Sequence, residues 1–158
     1  MNMSPKFVRL ESFNVLGFRY FGKNENNEIS DLWTKFHLEI KKYKEFINKD
    51  KIGLCSKANI NGDFEYICGI ILNEEEKIDL KNMVSKKVIS NDYIVFKHVG
   101  KVEKLDKTYE EIKKWFINSK VNFDDDYDFE YYGKGYKNDE DDSVIYIYYP
   151  IKNEDVLD

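Results

Sequence analysis

The segment Phe18-Arg19-Tyr20-Phe21-Gly22-Lys23 is followed, 78 residues further along the chain, by a related segment, Phe96-Lys97-His98-Val99-Gly100-Lys101. In both, an apolar stretch rich in aromatic and β-branched residues stops at a glycine before a polar loop. That arrangement is typical of the end of a β-strand. The recurrence of the same strand end at this distance is the first indication of an internal duplication.

Two further matches support the duplication. A helical aromatic residue and a strand dipeptide recur at distances of 79 and 80 residues, as Phe36 with Trp115 and Tyr66-Ile67 with Tyr146-Ile147. A nearly constant offset over separate matches is typical of repeated folding units. We therefore expect pseudo-repeats over about residues 7–73 and 83–151, both within one domain that spans residues 1–158.

The first copy has the pattern strand, helix, strand, strand. Residues 7–21 form an extended stretch, and shorter strands follow over 52–56 and 64–72. Between them a helix begins near Ile29, with Ser30 or Asp31 as N-cap. Its apolar stripe has steps of three and four residues: Ile29, Leu32, Trp33, Phe36, Ile40, Tyr43 and Ile47.

The second copy follows the same order. Residues 86–99 are extended, and Thr108-Tyr109-Glu110-Glu111 has the pattern of a capping box at a helix start. Two strands follow over 128–132 and 144–149, the last stopped by Pro150, which has no amide hydrogen to donate. The apolar stripe of the helix is Leu105, Tyr109, Ile112, Trp115 and Phe116.

These units predict an α+β fold. One strand-helix-strand-strand unit is too small to cover both its sheet and its helix. Two copies can share one antiparallel sheet, place both helices on one face, and leave a central ligand cleft where they meet.

Composition excludes several classes of protein. The chain has 158 residues and a mass of 18.9 kDa, which suits one domain. Its longest uncharged apolar run, residues 66–72, is far shorter than a membrane-spanning helix, and the N-terminus lacks a secretory signal, so we expect a cytoplasmic protein. Cys55 and Cys68 are then reduced thiols, and with two histidines and no CxxC motif we expect neither a zinc site nor another cofactor.

The charge is uneven along the chain. Nine of its 30 acids lie in residues 124–142, together with two lysines, so this segment has a net charge of −7. Since the net charge of the whole chain is −5, the remainder has a net charge of +2. This balance offers no basic stripe for nucleic acid. Asp124, Asp126 and Asp128 have the first spacings of a calcium-binding EF-hand loop, but Phe129 stands where that loop needs glycine, so no metal is expected.

Glu130 is the unusual member of the acidic segment. It lies between aromatic residues on the predicted strand 128–132, whose alternation places Asp128, Glu130 and Tyr132 on one face. One interpretation is that Glu130 faces solvent with the other acids. The other is a pocket acid surrounded by aromatic rings, which binds lipophilic cations through charge and cation–π attraction. The 12 tyrosines of the chain suit such a pocket.

Taken in order, these segments resemble the GyrI-like small-molecule-binding domain family, which includes the effector-binding domains of multidrug-responsive transcription activators. The resemblance covers nearly the whole chain. It is carried by Val15-Leu16-Gly17-Phe18, Ser30-Asp31-Leu32-Trp33, Phe64-Glu65-Tyr66-Ile67-Cys68-Gly69, Thr108-Tyr109 with Trp115, Asp128-Phe129-Glu130-Tyr131-Tyr132 and Ile145-Tyr146-Ile147-Tyr148-Tyr149-Pro150.

The resemblance implies a hydrophobic cleft between two helices with Glu130 as the ligand-contacting acid. The chain is identified as a stand-alone member that binds amphipathic, aromatic or cationic compounds and does not contact nucleic acid or membrane. The expected walls of the site are Trp33, Phe36, Tyr66, Trp115, Tyr132 and Tyr146.

Two alternatives remain open. Some relatives hydrolyse electrophilic cyclopropane-containing compounds, and in such an enzyme Glu130 would be the catalytic acid or base. One member inhibits a DNA topoisomerase, and the acidic stretch 124–142 could imitate DNA toward a basic protein partner.

Overall fold

The computed structural model describes residues 3–138 and 140–152, and it confirms the α+β class. Asp139, one of the nine acids counted above, lies outside these ranges. All eight elements predicted from the sequence are present as the expected type, although each of the two long extended stretches is divided into two strands. The elements in chain order are β1 (Lys6–Leu10), β2 (Phe13–Gly22), α1 (Glu28–Ile40), β3 (Lys51–Ser56), β4 (Phe64–Asn73), β5 (Val84–Val88), β6 (Asn91–Val99), a short 3-10 turn (Val102–Lys104), α2 (Leu105–Ser119), β7 (Tyr127–Tyr132) and β8 (Val144–Pro150).

The chain forms two compact units. The N-terminal unit is Glu11–Ser90, and the C-terminal unit consists of the described residues of 1–10 and 91–158. Each has one helix and four antiparallel strands, in the order β3-β4-β2-β5 in the first and β1-β6-β8-β7 in the second. The expectation of a single domain over residues 1–158 stays a prediction.

Both long extended stretches of the sequence are divided into two strands. Residues 7–21 break between β1 and β2, and residues 86–99 break between β5 and β6. The two parts of each stretch pair in different units, since β1 joins β6 whereas β5 joins β2. The starts of β1 and β5 are again 78 residues apart, so the duplication extends to these short strands.

Helix α1 is shorter than the predicted stripe. It ends at Ile40, so that Tyr43 and Ile47 lie in the turns that follow. It begins after Asn27, which has φ 58°, and neither Ser30 nor Asp31 is the N-cap. The prediction of those caps was wrong because Asn24, five residues earlier, accepts the free amide hydrogen of Ile29 with its side-chain oxygen at 3.0 Å. The buried side of α1 packs on β2 and β4 through Phe36 and Ile40, against Leu16, Cys68, Ile70 and Leu72.

The capping box predicted at Thr108 is also wrong. Helix α2 begins at Leu105, and Thr108 lies inside it. Its hydroxyl contacts Nδ1 of the buried His98 at 2.6 Å, while Nε2 of that ring lies 2.9 Å from the carbonyl oxygen of Lys101. A carbonyl only accepts, so Nε2 carries a proton. The Thr108 hydroxyl therefore contacts His98 of β6 and does not cap the helix.

Helix α2 covers one face of the β1-β6-β8-β7 sheet. Leu105 and Ile112 are its buried residues. They pack against alternate side chains of β6 and β8: Ile94, Phe96, Ile145 and Ile147. Over residues 3–138 and 140–152 no helix has the length and apolar character needed to cross a membrane.

Candidate functional site

Strand β7 presents its acids to helix α2. Glu130 and Tyr132 lie on the α2 side of the sheet, where Glu130 meets Tyr109 of the helix. The intervening Phe129 is buried on the opposite face and stacks on Tyr148, with ring centroids 4.6 Å apart and planes 10° from parallel. The alternation expected from the sequence is therefore present. It directs the side chain of Glu130 toward helix α2.

Two tyrosine hydroxyls hold the carboxylate of Glu130. Tyr109 donates to Oε2 at 2.5 Å, and Tyr132 donates to Oε1 at 2.8 Å. Hydrogen bonds to an ionised acceptor are short and about twice as strong as neutral ones. The pair of hydroxyls therefore stabilises a negative charge at this position.

Tyr109 keeps its proton at physiological pH. Burial raises the pKa of its hydroxyl well above the usual value of a tyrosine, and the nearby charges of Glu130 and Asp128 raise it further. It is therefore a permanent donor to Glu130. In the sequence Tyr109 is recognisable only as a member of the apolar stripe of α2. A tyrosine at such a position is expected to pack in the core, and the sequence does not identify the partner of its hydroxyl.

Asp128 is a second acid on this face. Burial, followed by the negative charge of Glu130, raises the pKa of its carboxyl group to about 7. Within the described residues no side chain or backbone amide donates a hydrogen bond to it. Its position two residues before Glu130 was visible in the sequence, but the surrounding acidic run concealed its different environment.

Aromatic side chains surround the acids in the C-terminal unit. Trp115 is half-buried and makes an edge contact with Phe96, with ring centroids 5.4 Å apart. Tyr132 makes a similar contact with Tyr136 at 5.0 Å. In the described part of the chain the indole N–H of Trp115 has no hydrogen-bond acceptor.

Tyr146 does not belong to this cluster. It pairs with Tyr131 across β7 and β8, on the face away from α2, and it is 37% exposed. Its neighbours Ile145 and Ile147 are the residues of β8 that face the helix.

Three of the expected wall residues come together in the N-terminal unit. The indole N–H of Trp33 donates to the hydroxyl of Tyr66 at 2.9 Å. Phe36 is completely buried and contacts the Trp33 ring edge-on at 6.0 Å, and His37 stacks on the other side of that ring at 5.6 Å. The partner that a buried indole needs is therefore a tyrosine of β4.

The three consecutive aspartates 124, 125 and 126 bring their carboxylate oxygens within 4.8 Å of one another. Asp125 and Asp126 are exposed. Clusters of exposed acids of this kind are common, and the missing EF-hand residues noted in the sequence apply equally here.

A duplicated α+β fold with an acid held among tyrosines defines the class of small-molecule effector-binding domains. Residues 6–151 match the family described as integron-associated effector-binding proteins, Cass2. The chain belongs to this family, and the resemblance to GyrI-like domains is confirmed. It is an effector-binding domain related to the ligand-binding domains of transcription regulators.

Individual relatives agree with this assignment. The transcriptional regulator BrlR of Pseudomonas aeruginosa is 28% identical over 156 residues, which are 95% of this chain and 56% of the regulator, so the chain spans little more than half of that relative. Two solved structures share the fold. SAV2435 bound to tetraphenylphosphonium has a TM-score of 0.78 at 19% identity and covers 98% of both chains. An integron cassette protein from Vibrio cholerae has a TM-score of 0.68 at 22% identity, covering 96% of this chain and all of the other.

Proposed function

We propose that the protein binds lipophilic organic cations, with Glu130 as the charged contact and aromatic side chains as the walls. The observation that supports this most directly is the partly buried Glu130 carboxylate, which two tyrosine hydroxyls hold on the α2 side of the sheet. A partly buried carboxylate is costly unless a positive charge meets it, and a ligand can supply that charge.

The hydrogen bonds around Glu130 hold its carboxylate in place for a cation. Each oxygen accepts a hydrogen bond from a tyrosine, so the orientation of the carboxylate does not depend on a donor from the ligand. The charge of Glu130 can therefore attract cations without N–H donors, such as quaternary ammonium or phosphonium ions. Aromatic faces add about 0.5 to 2 kcal/mol for each well-placed cation–π contact.

The comparisons support this choice of ligand class. The chain belongs to an effector-binding family, and the structure of SAV2435, which shares its fold, contains the lipophilic cation tetraphenylphosphonium. The roles of Trp33, Phe36, Tyr66, Trp115, Tyr132 and Tyr146 as ligand contacts stay predictions.

The test is a titration with tetraphenylphosphonium chloride, followed by tryptophan fluorescence and by calorimetry at pH 8. Glu130→Gln keeps the size of the side chain and removes its charge, and we expect it to weaken binding at least tenfold, about 1.4 kcal/mol. Glu111→Gln on α2 is the matched control, since Glu111 is partly exposed and forms an ion pair with Lys114.

Circular dichroism and thermal unfolding establish that both variants fold. If Glu130→Gln and Glu111→Gln bind the cation as tightly as the wild type, Glu130 is not the charged contact and the proposal is wrong.

A further inference from the structure

We propose that Asp128 is a second ligand-facing acid beside Glu130, and that a cation bound to this pair displaces a proton from Asp128 to the solvent. The inference rests on the proposed function of the Glu130 cluster and deepens it. It assigns a residue that sequence analysis did not place in the site, and it makes ligand binding dependent on pH.

Asp128 and Glu130 lie on the same face of strand β7, the face that is turned to α2. Residues two apart on a strand lie on one face and are separated by about 6.6 Å along it. Glu130 reaches Tyr109 of α2, and the charge of Asp128 also acts on Tyr109, so both acids face the same side of the helix. A cation that contacts Glu130 from the α2 side therefore lies within reach of the charge of Asp128.

The two acids differ in how their charge is stabilised. Glu130 accepts two tyrosine hydrogen bonds, whereas Asp128 accepts none from the described residues. Four ionisable groups of the described C-terminal unit face Asp128. Glu130 and Tyr132 lie on its own strand, and Tyr109 lies on α2. Tyr149 lies opposite Asp128 on β8, because the neighbouring Phe129 pairs with Tyr148. None of these is a cation, so among the described residues of this unit no positive charge faces Asp128.

The consequence is a proton held at neutral pH. Burial and the charge of Glu130 raise the pKa of Asp128 to about 7, so that in the ligand-free protein about half of the molecules carry the proton. A bound cation favours the ionised form and lowers that pKa. Affinity then rises as pH increases through 7 and levels off above it, because the protonated form binds the cation less well.

The magnitude follows from the lowering of the pKa on binding. Each unit by which the cation lowers the pKa of Asp128 makes the high-pH affinity tenfold greater than the low-pH affinity. A lowering by one unit also corresponds to release of about 0.4 proton per cation bound at pH 7.

The test uses tetraphenylphosphonium chloride, a cation with no titratable group, so that any pH dependence belongs to the protein. Its dissociation constant is measured by calorimetry between pH 5.5 and 8.5, and proton release at pH 7 is obtained from buffers with different ionisation enthalpies. We expect the wild type to bind about tenfold more tightly at pH 8.5 than at pH 5.5 and to release a fraction of a proton.

Two variants separate the possible causes. Asp128→Asn is expected to remove the pH dependence and to bind with about the low-pH affinity of the wild type at every pH. Asp126→Asn, an exposed acid of the preceding turn, is the control and should keep the wild-type profile. Thermal unfolding of each variant establishes that it is folded.

The outcomes distinguish this inference from the proposed function. If Glu130→Gln weakens binding but the wild-type affinity is the same at pH 5.5 and 8.5, the role of Asp128 is wrong and that of Glu130 stands. The same conclusion follows if Asp128→Asn keeps the pH profile of the wild type. If Glu130→Gln binds like the wild type, the proposed function itself is wrong.

Discussion

Replacing Asp128 by asparagine should stabilise the ligand-free protein, and more so at pH 8 than at pH 5. The carboxyl group of Asp128 has a pKa of about 7 in the folded protein, raised mainly by burial, against an ordinary value of 3.8. Between these values the folded protein binds more protons than the unfolded chain, so its stability falls as pH rises from about 4 through 7. Asparagine has no proton to lose and avoids this penalty.

The size of the effect follows from the shift. A change of about 3 pKa units corresponds to about 4 kcal/mol over the full range, and the part that falls between pH 5 and pH 8 is roughly 2.6 kcal/mol. Asp128 is partly exposed as a residue, and solvent screening reduces the expected difference to about 1 to 2 kcal/mol.

The measurement is urea unfolding of the wild type and of Asp128→Asn at pH 5 and pH 8, followed by far-ultraviolet circular dichroism. The quantity of interest is the gain in the free energy of unfolding caused by the substitution, which should grow by about 1 to 2 kcal/mol between the two pH values. Asp126→Asn serves as the control for general charge effects and should show no such growth. An equal gain at both pH values would refute the assignment of a proton to Asp128.

Three further predictions concern packing and backbone conformation. Gly17→Ala should lower the free energy of unfolding by about 3 kcal/mol or more, because the new Cβ would lie only 2.0 Å from the carbonyl oxygen of Cys68; urea unfolding within 1 kcal/mol of the wild type would contradict this. Lys120→Gly should raise the free energy of unfolding by about 1 kcal/mol, because Lys120 ends α2 with φ 60°, a conformation in which glycine is unstrained. An unchanged or lower free energy of unfolding would contradict this. Burial raises the pKa of the Cys68 thiol to about 12. At pH 8 Ellman's reagent should therefore modify Cys55 in the folded protein and Cys68 only after unfolding. Equal rates of modification for the two thiols would contradict this prediction.

Much of the fold is encoded in local patterns, but the partners of individual side chains are not. The strands over 64–72, 128–132 and 144–149 match β4, β7 and β8 to within a residue, because their apolar alternation and flanking turns are strong signals. The breaks before β2 and β6 have no glycine or proline to mark them. They depend on strand pairing between segments that are distant in the sequence, as when the amide of Ser90 donates to the hydroxyl of Ser12.

Glu130 stands out in the sequence because it conflicts with its surroundings. A glutamate between aromatic residues in the middle of a strand is unfavourable for the core, and the conflict indicates a function. Tyr109 and Asp128 carry no comparable signal. The first fits the apolar stripe of a helix and the second fits an acidic run, so only the contact at 2.5 Å and the burial of Asp128 distinguish them.

The two copies can be compared position by position. The pairing of Gly17 with Gly69 in the N-terminal unit corresponds, at offsets of 78 and 79, to the pairing of Val95 with Tyr148 in the C-terminal unit. On the neighbouring strands, Gly53 pairs with Cys68 and Glu130 pairs with Ile147, the residues one position earlier in β4 and β8. Gly53 and Glu130 are therefore equivalent positions of the repeated unit. In this register the sequence match of Tyr66-Ile67 with Tyr146-Ile147 is one residue out of step, because Tyr66 packs toward its helix and Tyr146 does not.

The helices show the same correspondence with a different chemistry. Trp33 and Tyr109 each lie three residues before the most buried residue of their helix, and each donates a hydrogen bond to a strand. In the N-terminal unit the acceptor is the hydroxyl of Tyr66, and glycine occupies the position of the acid. Because one copy forms this strand with glycine, the fold does not require a carboxylate there. The charge of Glu130 is therefore a feature of one copy that the folding of the unit does not explain, and the cation binding proposed above would account for it.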